Sequence, residues 1–418
     1  MQIQQGVSLR FIETDKFKDI GVSIRFKCVL EKKKAAARSL LALMLCDRSR
    51  KYDTKKKMSD HLDTMYGAIL SAQTAGYGKA QVVELRSKII NPSYLEESNT
   101  MMEDLFAFLH EILFEPLLDK DVFEESKLIL AAKVERMQDD PAQYAITQGL
   151  KLAGEGAPLG ISALGEAETV RALTLEDIRA VYHEMIEEDE ITIIVCGDLR
   201  EEEIREQIEK HLNFCARKNT TDTYYTVQTT PTSQVVKDYK NISQSSIMMV
   251  WFTNTSLVDE DYYALRVANA MFGQYSTSLL FQEVREKNSL CYSIFSNLIS
   301  YDGALGVTTG VEQEHIDQTI TLIRKQFETL CKGGFDEELL KVSKQMIISS
   351  LKASKDAMNS LIALEYQNEL LGCQRSTEDI IALVEKVTAE DVIRAIGKCE
   401  EKMTFILTKE DDNETNHE

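Results

Sequence analysis

At 418 residues the chain exceeds the size of one ordinary domain core, and its 44% hydrophobic and 28% charged residues are the composition of a folded globular protein rather than a disordered one. A formal charge of -20 argues against nucleic acid or an anionic membrane as the main partner. The cysteines (Cys28, Cys46, Cys196, Cys215, Cys291, Cys331, Cys373, Cys399) lack C-x-x-C pairing and read as reduced, mostly buried thiols; with no leader-like amino terminus and no long apolar run, the expected location is the cytoplasm.

Val22, Ile24, Phe26 and Cys28 alternate with Ser23, Arg25 and Lys27, which predicts an opening strand buried on one face. The run from Ala35 to Cys46 is too apolar for a surface helix and too rich in Ala, Leu and Met for a strand, so a core helix is expected. Next come a helix, a break at Gly67 and a strand hairpin turning near Gly76 and Gly78. Helical patterns follow at about Tyr94 to Leu113 and Asp119 to Met137, with Pro141 beyond the second. Gly154, Gly156 and Gly160 fit neither G-x-G-x-x-G nor the P-loop and read as a flexible loop. The runs Lys32 to Lys34 and Lys55 to Lys57 read as solvated faces.

A weak internal repeat organises the chain. Val170-x-x-Leu173-Thr174-x-Glu176-Asp177, a helix and the apolar strand Ile191 to Cys196 reappear in order as Val384-x-x-Val387-Thr388-x-Glu390-Asp391, a helix and the strand Thr404 to Thr408. Thr174 and Thr388 each precede acidic residues, as a helix N-cap followed by dipole-favourable charge does. Between the halves, residues 216–234 are polar and Thr-rich with Pro231, an exposed linker. The second half then reads as a strand (Ile247 to Phe252), helices near Asp259 to Phe272 and Thr277 to Lys287, and strands through Tyr292 and Leu305. The domains are therefore 1–215 and 235–418, each an α+β unit with sheet and helices segregated.

This order of elements, the duplication and the segment FGQYSTSLLFQEVREKNSLCYSIFS (272–296) resemble the pitrilysin/insulinase family of inverted-zinc-motif metallopeptidases. APLGISALGEAETVRALTLEDI and ITIIVCGDL also look like landmarks of that family, so the resemblance spans nearly the whole chain. It implies a clamshell of two repeated domains, each a mostly antiparallel sheet with helices on one face. It also implies that Arg285 and Tyr292, at the positions of the family's arginine and tyrosine, bind substrate near the scissile bond. Such a pair can hydrogen-bond a peptide carbonyl or its oxyanion. The residues alone leave a plainer reading open, with Arg285 paired to Glu283 or Glu286 and Tyr292 packed in a strand.

Active members of the family carry His-x-x-Glu-His on a first-half helix, two zinc ligands one turn apart with a glutamate as general base. The equivalent helix here places Ser39 and Leu43 at the histidine positions and Ala42 at the glutamate position, and Ala132 falls where a later glutamate ligand belongs. Residues 29–45 contain no histidine, and His61, His110, His183, His211, His315 and His417 lack ligand spacing, so no metal is expected in this chain. The resemblance is thus to the zinc-less, non-catalytic subunit type found in bacteria. It implies no independent peptidase activity, zinc only in a catalytic partner, and a partner that is a homologous zinc-bearing subunit or, alternatively, a second copy in a structural or peptide-binding homodimer.

Overall fold

The computed structural model describes residues 2–96, 100–217, 221–225 and 233–410. Among them, β1 (Gln2–Gln4), β2 (Val7–Glu13), β3 (Asp19–Val29), β4 (Ile69–Tyr77), β5 (Ala80–Ile90) and β6 (Glu190–Gly197) form one sheet in the order β1-β2-β6-β3-β5-β4. A second sheet joins β7 (Gln234–Tyr239), β8 (Ser245–Phe252), β9 (Cys291–Ile299), β10 (Ala304–Val311) and β11 (Glu400–Thr408) in the order β7-β11-β8-β10-β9. Each sheet is antiparallel except at one pair, β2 with β6 and β7 with β11. This is the mixed α+β class expected, with two strands, β1 and β2, ahead of the one read as the opening strand.

The repeat is visible in the elements that feed the parallel pairs. Thr174 caps the Leu175–Glu187 helix before β6, and Thr388 caps the Ala389–Ile396 helix before β11. In both, the Thr hydroxyl accepts from the backbone N–H three residues on, and the Asp there accepts from the Thr backbone N–H. Hydrogen bonds from Thr174 and from the Thr388 backbone hold the carboxyls of Asp177 and Asp391 below the usual aspartate range. Ser376 and Asp379 build a third such cap on the Thr377–Lys386 helix, which the repeat alone did not single out.

The chain divides into two compact units, neither continuous in sequence. One comprises Met1–Glu135, Ser162–Thr223 and Ser354–Gln374; the other comprises Arg136–Ile161, Tyr224–Ala353 and Arg375–Glu418. Of the segment read as a linker, 218–220 and 226–232 lie outside the described residues. Its Arg217 and Thr223 are buried rather than exposed, the former donating to the carbonyls of Asp189, Cys215 and Ile186.

Within the first unit, the apolar face of β3 (Val22, Ile24, Phe26) packs with Leu40, Leu41 and Met44 of the Lys32–Leu45 helix and with Phe106 and Leu109 of the Met101–Phe114 helix. Each such large side chain contributes about 1.5–3 kcal/mol when fully buried. The opposite face of β3 is also buried, which corrects the one-sided strand expected from its alternation. It lies under the Met358–Leu371 helix, whose Ile362 and Tyr366 join Val82, Ile194 and Cys196 in a second apolar cluster.

That second face carries charge, and the charge is paired. Arg25 is only 2% exposed, and its Nε donates to Glu84 Oε1 at 3.0 Å and to Ser23 Oγ at 3.1 Å, while its guanidinium carbon lies 4.1 Å from the Tyr366 ring centroid. Glu84 also accepts from Ser23 (2.7 Å) and Gln73 (2.9 Å) and pairs with Arg86 at 2.7 Å. Burial pushes the Glu84 carboxyl up, but Arg86, Arg25, Ser23 and Gln73 together hold it below the usual glutamate value.

In the second unit the Pro141–Ala153 helix, which no sequence pattern announced, covers one face of its sheet. Ala145 and Ala153 cluster with Met248, Val250, Phe405 and Leu407. A Cβ added at Gly149 would stand 2.6 Å from Met248 Cγ, so glycine permits the helix to approach β8 this closely. The glycines that follow form a compact turn, with Ala157 N–H donating to Gly154 O at 2.8 Å and Gly160 N–H to Ala157 O at 3.0 Å.

Candidate functional site

Three of the four positions that the resemblance assigns to a lost metal site, Ser39, Ala42 and Leu43, are packed into the first unit. Ser39 and Leu43, one turn apart, share a face of the Lys32–Leu45 helix. Ser39 is 3% exposed; its hydroxyl donates to the Ala163 carbonyl at 3.0 Å and lies 2.7 Å from the hydroxyl of Thr74 on β4, which therefore supplies the proton of that second bond. Gln81 Nε2 donates to the same Ala163 carbonyl at 2.7 Å and to that of Ala35 at 3.1 Å. Ala42 is 2% exposed, and Leu43 packs half-buried against the core.

Ala132 stands exposed on the Lys120–Asp139 helix, one turn beyond Leu128, which is 71% exposed. These side chains do not fit a zinc ion. A hydroxyl already committed to two hydrogen bonds, two methyl groups and an isobutyl group supply no imidazole or carboxylate. Among the described residues no group of three or more His, Cys, Asp or Glu side chains is placed to hold a metal ion. His61 instead stacks on Tyr52, with ring centroids 4.4 Å apart, and tilts against Phe108. The cysteines are all unpaired; Cys196 and Cys399 are buried, Cys215 is exposed, and burial pushes the Cys28 thiol up to about 12.

The other candidate pair does converge. Arg285 lies in a π-helical turn, Phe281–Lys287, and Tyr292 in the strand β9 that follows it. The Arg285 guanidinium carbon is 4.5 Å from the Phe281 ring centroid and 5.5 Å from that of Tyr292, so two rings flank one cation. Glu286, one of the two partners of the plainer reading, forms a loose ion pair with Arg285, 3.8 Å from its Nε and beyond hydrogen-bond reach, while Glu283 pairs with Lys287 at 2.8 Å. Tyr292 is 84% exposed, which sets aside its reading as a packed strand residue. Its hydroxyl and the open side of Arg285 face water and can donate to an acceptor such as a peptide carbonyl.

A polar link also anchors β9. Ser296 of β9 donates to Asn269 Oδ1 at 2.7 Å, and Asn269 Nδ2 donates to Gln274 Oε1 at 3.2 Å, tying β9 to the Ala270–Gln274 turn. Neither that link nor Phe281 was singled out from sequence. Phe281 precedes Arg285 by four residues, one helical turn, so its spacing was a readable signal.

Residues 172–347 match the family described as Peptidase M16 inactive domain. The chain is 27% identical over 408 residues to a Bacillus subtilis protein called "Probable inactive metalloprotease YmfF", covering 96% of each chain. Among solved structures, a conserved protein from Enterococcus faecalis superposes with a TM-score of 0.93 at 26% identity, covering 99% of both chains. A peptidase M16 inactive domain from Pseudomonas fluorescens superposes with a TM-score of 0.82 at 18% identity, covering 98% of both chains.

Proposed function

The chain is a pitrilysin/insulinase-family homologue of the inactive metallopeptidase type, and from that premise we propose that it serves as the non-catalytic subunit of a two-chain peptidase. Hydrolysis takes place at a zinc ion carried by a homologous partner subunit. This chain contributes Arg285 and Tyr292, which donate hydrogen bonds to the carbonyl oxygen of the scissile peptide and hold it in place as charge develops there. The observation that carries the reading is the flanked guanidinium: the rings of Phe281 and Tyr292 lie against Arg285 without taking up its hydrogen-bond donors. The unpaired thiols support a reducing compartment, the cytoplasm, as its place of work. No helix among the described residues is long and apolar enough to cross a membrane.

The test is reconstitution. A zinc-bearing homologue is mixed with this chain and cleavage of a peptide is followed with wild type, Arg285→Ala and Tyr292→Phe. Loss of one such donor is expected to slow the mixture about a hundredfold. An unchanged rate with both variants would show that these residues take no part.

A further inference from the structure

We propose that Arg285 and Tyr292 form a carboxylate site whose ligand is the new carboxyl terminus of a cleaved peptide, held more tightly than the uncut chain it came from. This rests on the reading that the pair contacts the carbonyl of the scissile bond, and it names what stays bound after hydrolysis.

A guanidinium presents its N–H groups in a fixed fork, and among the described residues none of those on Arg285 is hydrogen-bonded to the protein. The rings of Phe281 and Tyr292 stand 4.5 and 5.5 Å from its central carbon, and a ring face attracts the cation without consuming an N–H. The carboxylate of Glu286 stays 3.8 Å away, and that of Glu283 is taken by Lys287 at 2.8 Å. In a chain of formal charge -20, a partly exposed guanidinium that no carboxylate reaches within hydrogen-bond distance has its donors free for an incoming anion.

Hydrolysis turns a neutral acceptor into such an anion. The oxygen of water bonds to the carbonyl carbon, the C–N bond breaks, and both protons of the water end on the released amine. The carbonyl oxygen held by Arg285 and Tyr292 thereby becomes one of two carboxylate oxygens sharing a negative charge. Paired oxygens match the guanidinium fork, and such charge-assisted hydrogen bonds are roughly twice as strong as neutral ones. Tyr292, 84% exposed, keeps its hydroxyl available to the same oxygen. An aspartate or glutamate side chain offers the same group, but the new terminus forms on the oxygen already in place and needs no second docking. Glu286 repels the arriving charge and so limits how tightly the product is held.

The isolated full-length chain is titrated with a short peptide of neutral residues carrying a neutral fluorophore, in three forms: the free acid, the carboxyl-terminal amide, and the amide with one internal glutamate. Binding is read by fluorescence anisotropy at low salt. The free acid is expected to bind at least about tenfold tighter than the amide, with the internal glutamate close to the amide. That advantage should vanish in Arg285→Gln, grow in Glu286→Gln and shrink as salt is raised. Thermal midpoints of the two variants verify that both are folded. Equal affinity for acid and amide, an advantage that survives Arg285→Gln or fails to grow in Glu286→Gln, or an internal glutamate as effective as the free end would each overturn the proposal. Because the titration needs neither a zinc-bearing partner nor cleavage, the reconstituted mixture can reject the shared-site reading while acid peptides still bind, or sustain it while acid and amide bind alike.

Discussion

The hydroxyls of Ser39 and Thr74 lie 2.7 Å apart, tying the Lys32–Leu45 helix to β4 beside it. Ser39 also donates to Ala163, so its replacement by alanine removes two bonds and leaves a part-buried carbonyl and hydroxyl with fewer partners. Ser39→Ala is expected to cost about 1–3 kcal/mol in urea unfolding, with no loss of any metal-dependent property.

Restoring the family's general base alone is expected to be worse. Ala42→Glu places a carboxylate where only 2% of the residue reaches solvent, with no metal to receive it. A loss of about 3 kcal/mol or more is expected, and a near-neutral result would mean that this helix opens more readily than its packing implies.

Metal analysis of the purified chain is expected to find zinc well below one ion per molecule, and a chelator is expected to leave the thermal midpoint unchanged. Stoichiometric zinc that survives gel filtration would show a ligand set assembled in some other way.

The Arg25–Glu84 pair predicts an acid-sensitive core. Arg86, Arg25 and their neighbours hold the Glu84 carboxyl below its ordinary value, so its contribution is fully present above the unfolded value and is lost as pH falls through the lower folded one. Unfolding free energy measured below about pH 4.5 should fall less steeply in Glu84→Gln than in wild type. At neutral pH, Glu84→Ala should cost about 3–5 kcal/mol, because it strands the buried Arg25.

Phe281→Leu should keep the fold while removing one of the two rings beside Arg285. Without that ring the guanidinium is less well oriented, and the reconstituted mixture is expected to lose rate by a factor smaller than that of Arg285→Ala. A loss as large as that of Arg285→Ala would mean that Phe281 itself contacts substrate.

The strands and core helix of the first unit were legible because their apolar residues recur at strand and helix periods. The capped helices before β6 and β11 were legible because a threonine and its acidic residues recur in the same order and spacing in both halves. The expectation of a vacated metal site rests on the absence of histidine from residues 29–45, which needs no exact alignment. What escaped was long-range. Arg25 looked solvent-facing because the helix that covers it, Met358–Leu371, lies far along the chain. The Pro141–Ala153 helix escaped because a proline reads as the end of the preceding helix, whereas Pro141 occupies the first turn of a new one behind the Asp140 cap.

The exchange of segments between the units has a consequence for how the molecule can be made and broken. A chain severed near residue 225 would yield an amino-terminal fragment lacking 354–374, with Arg25 and Ile194 uncovered, and a carboxy-terminal fragment lacking the helix that shields Met248 and Phe405. Neither piece would be self-sufficient, yet each would hold the missing part of the other. Each repeated half of the sequence thus depends on the other for a helix that covers its sheet.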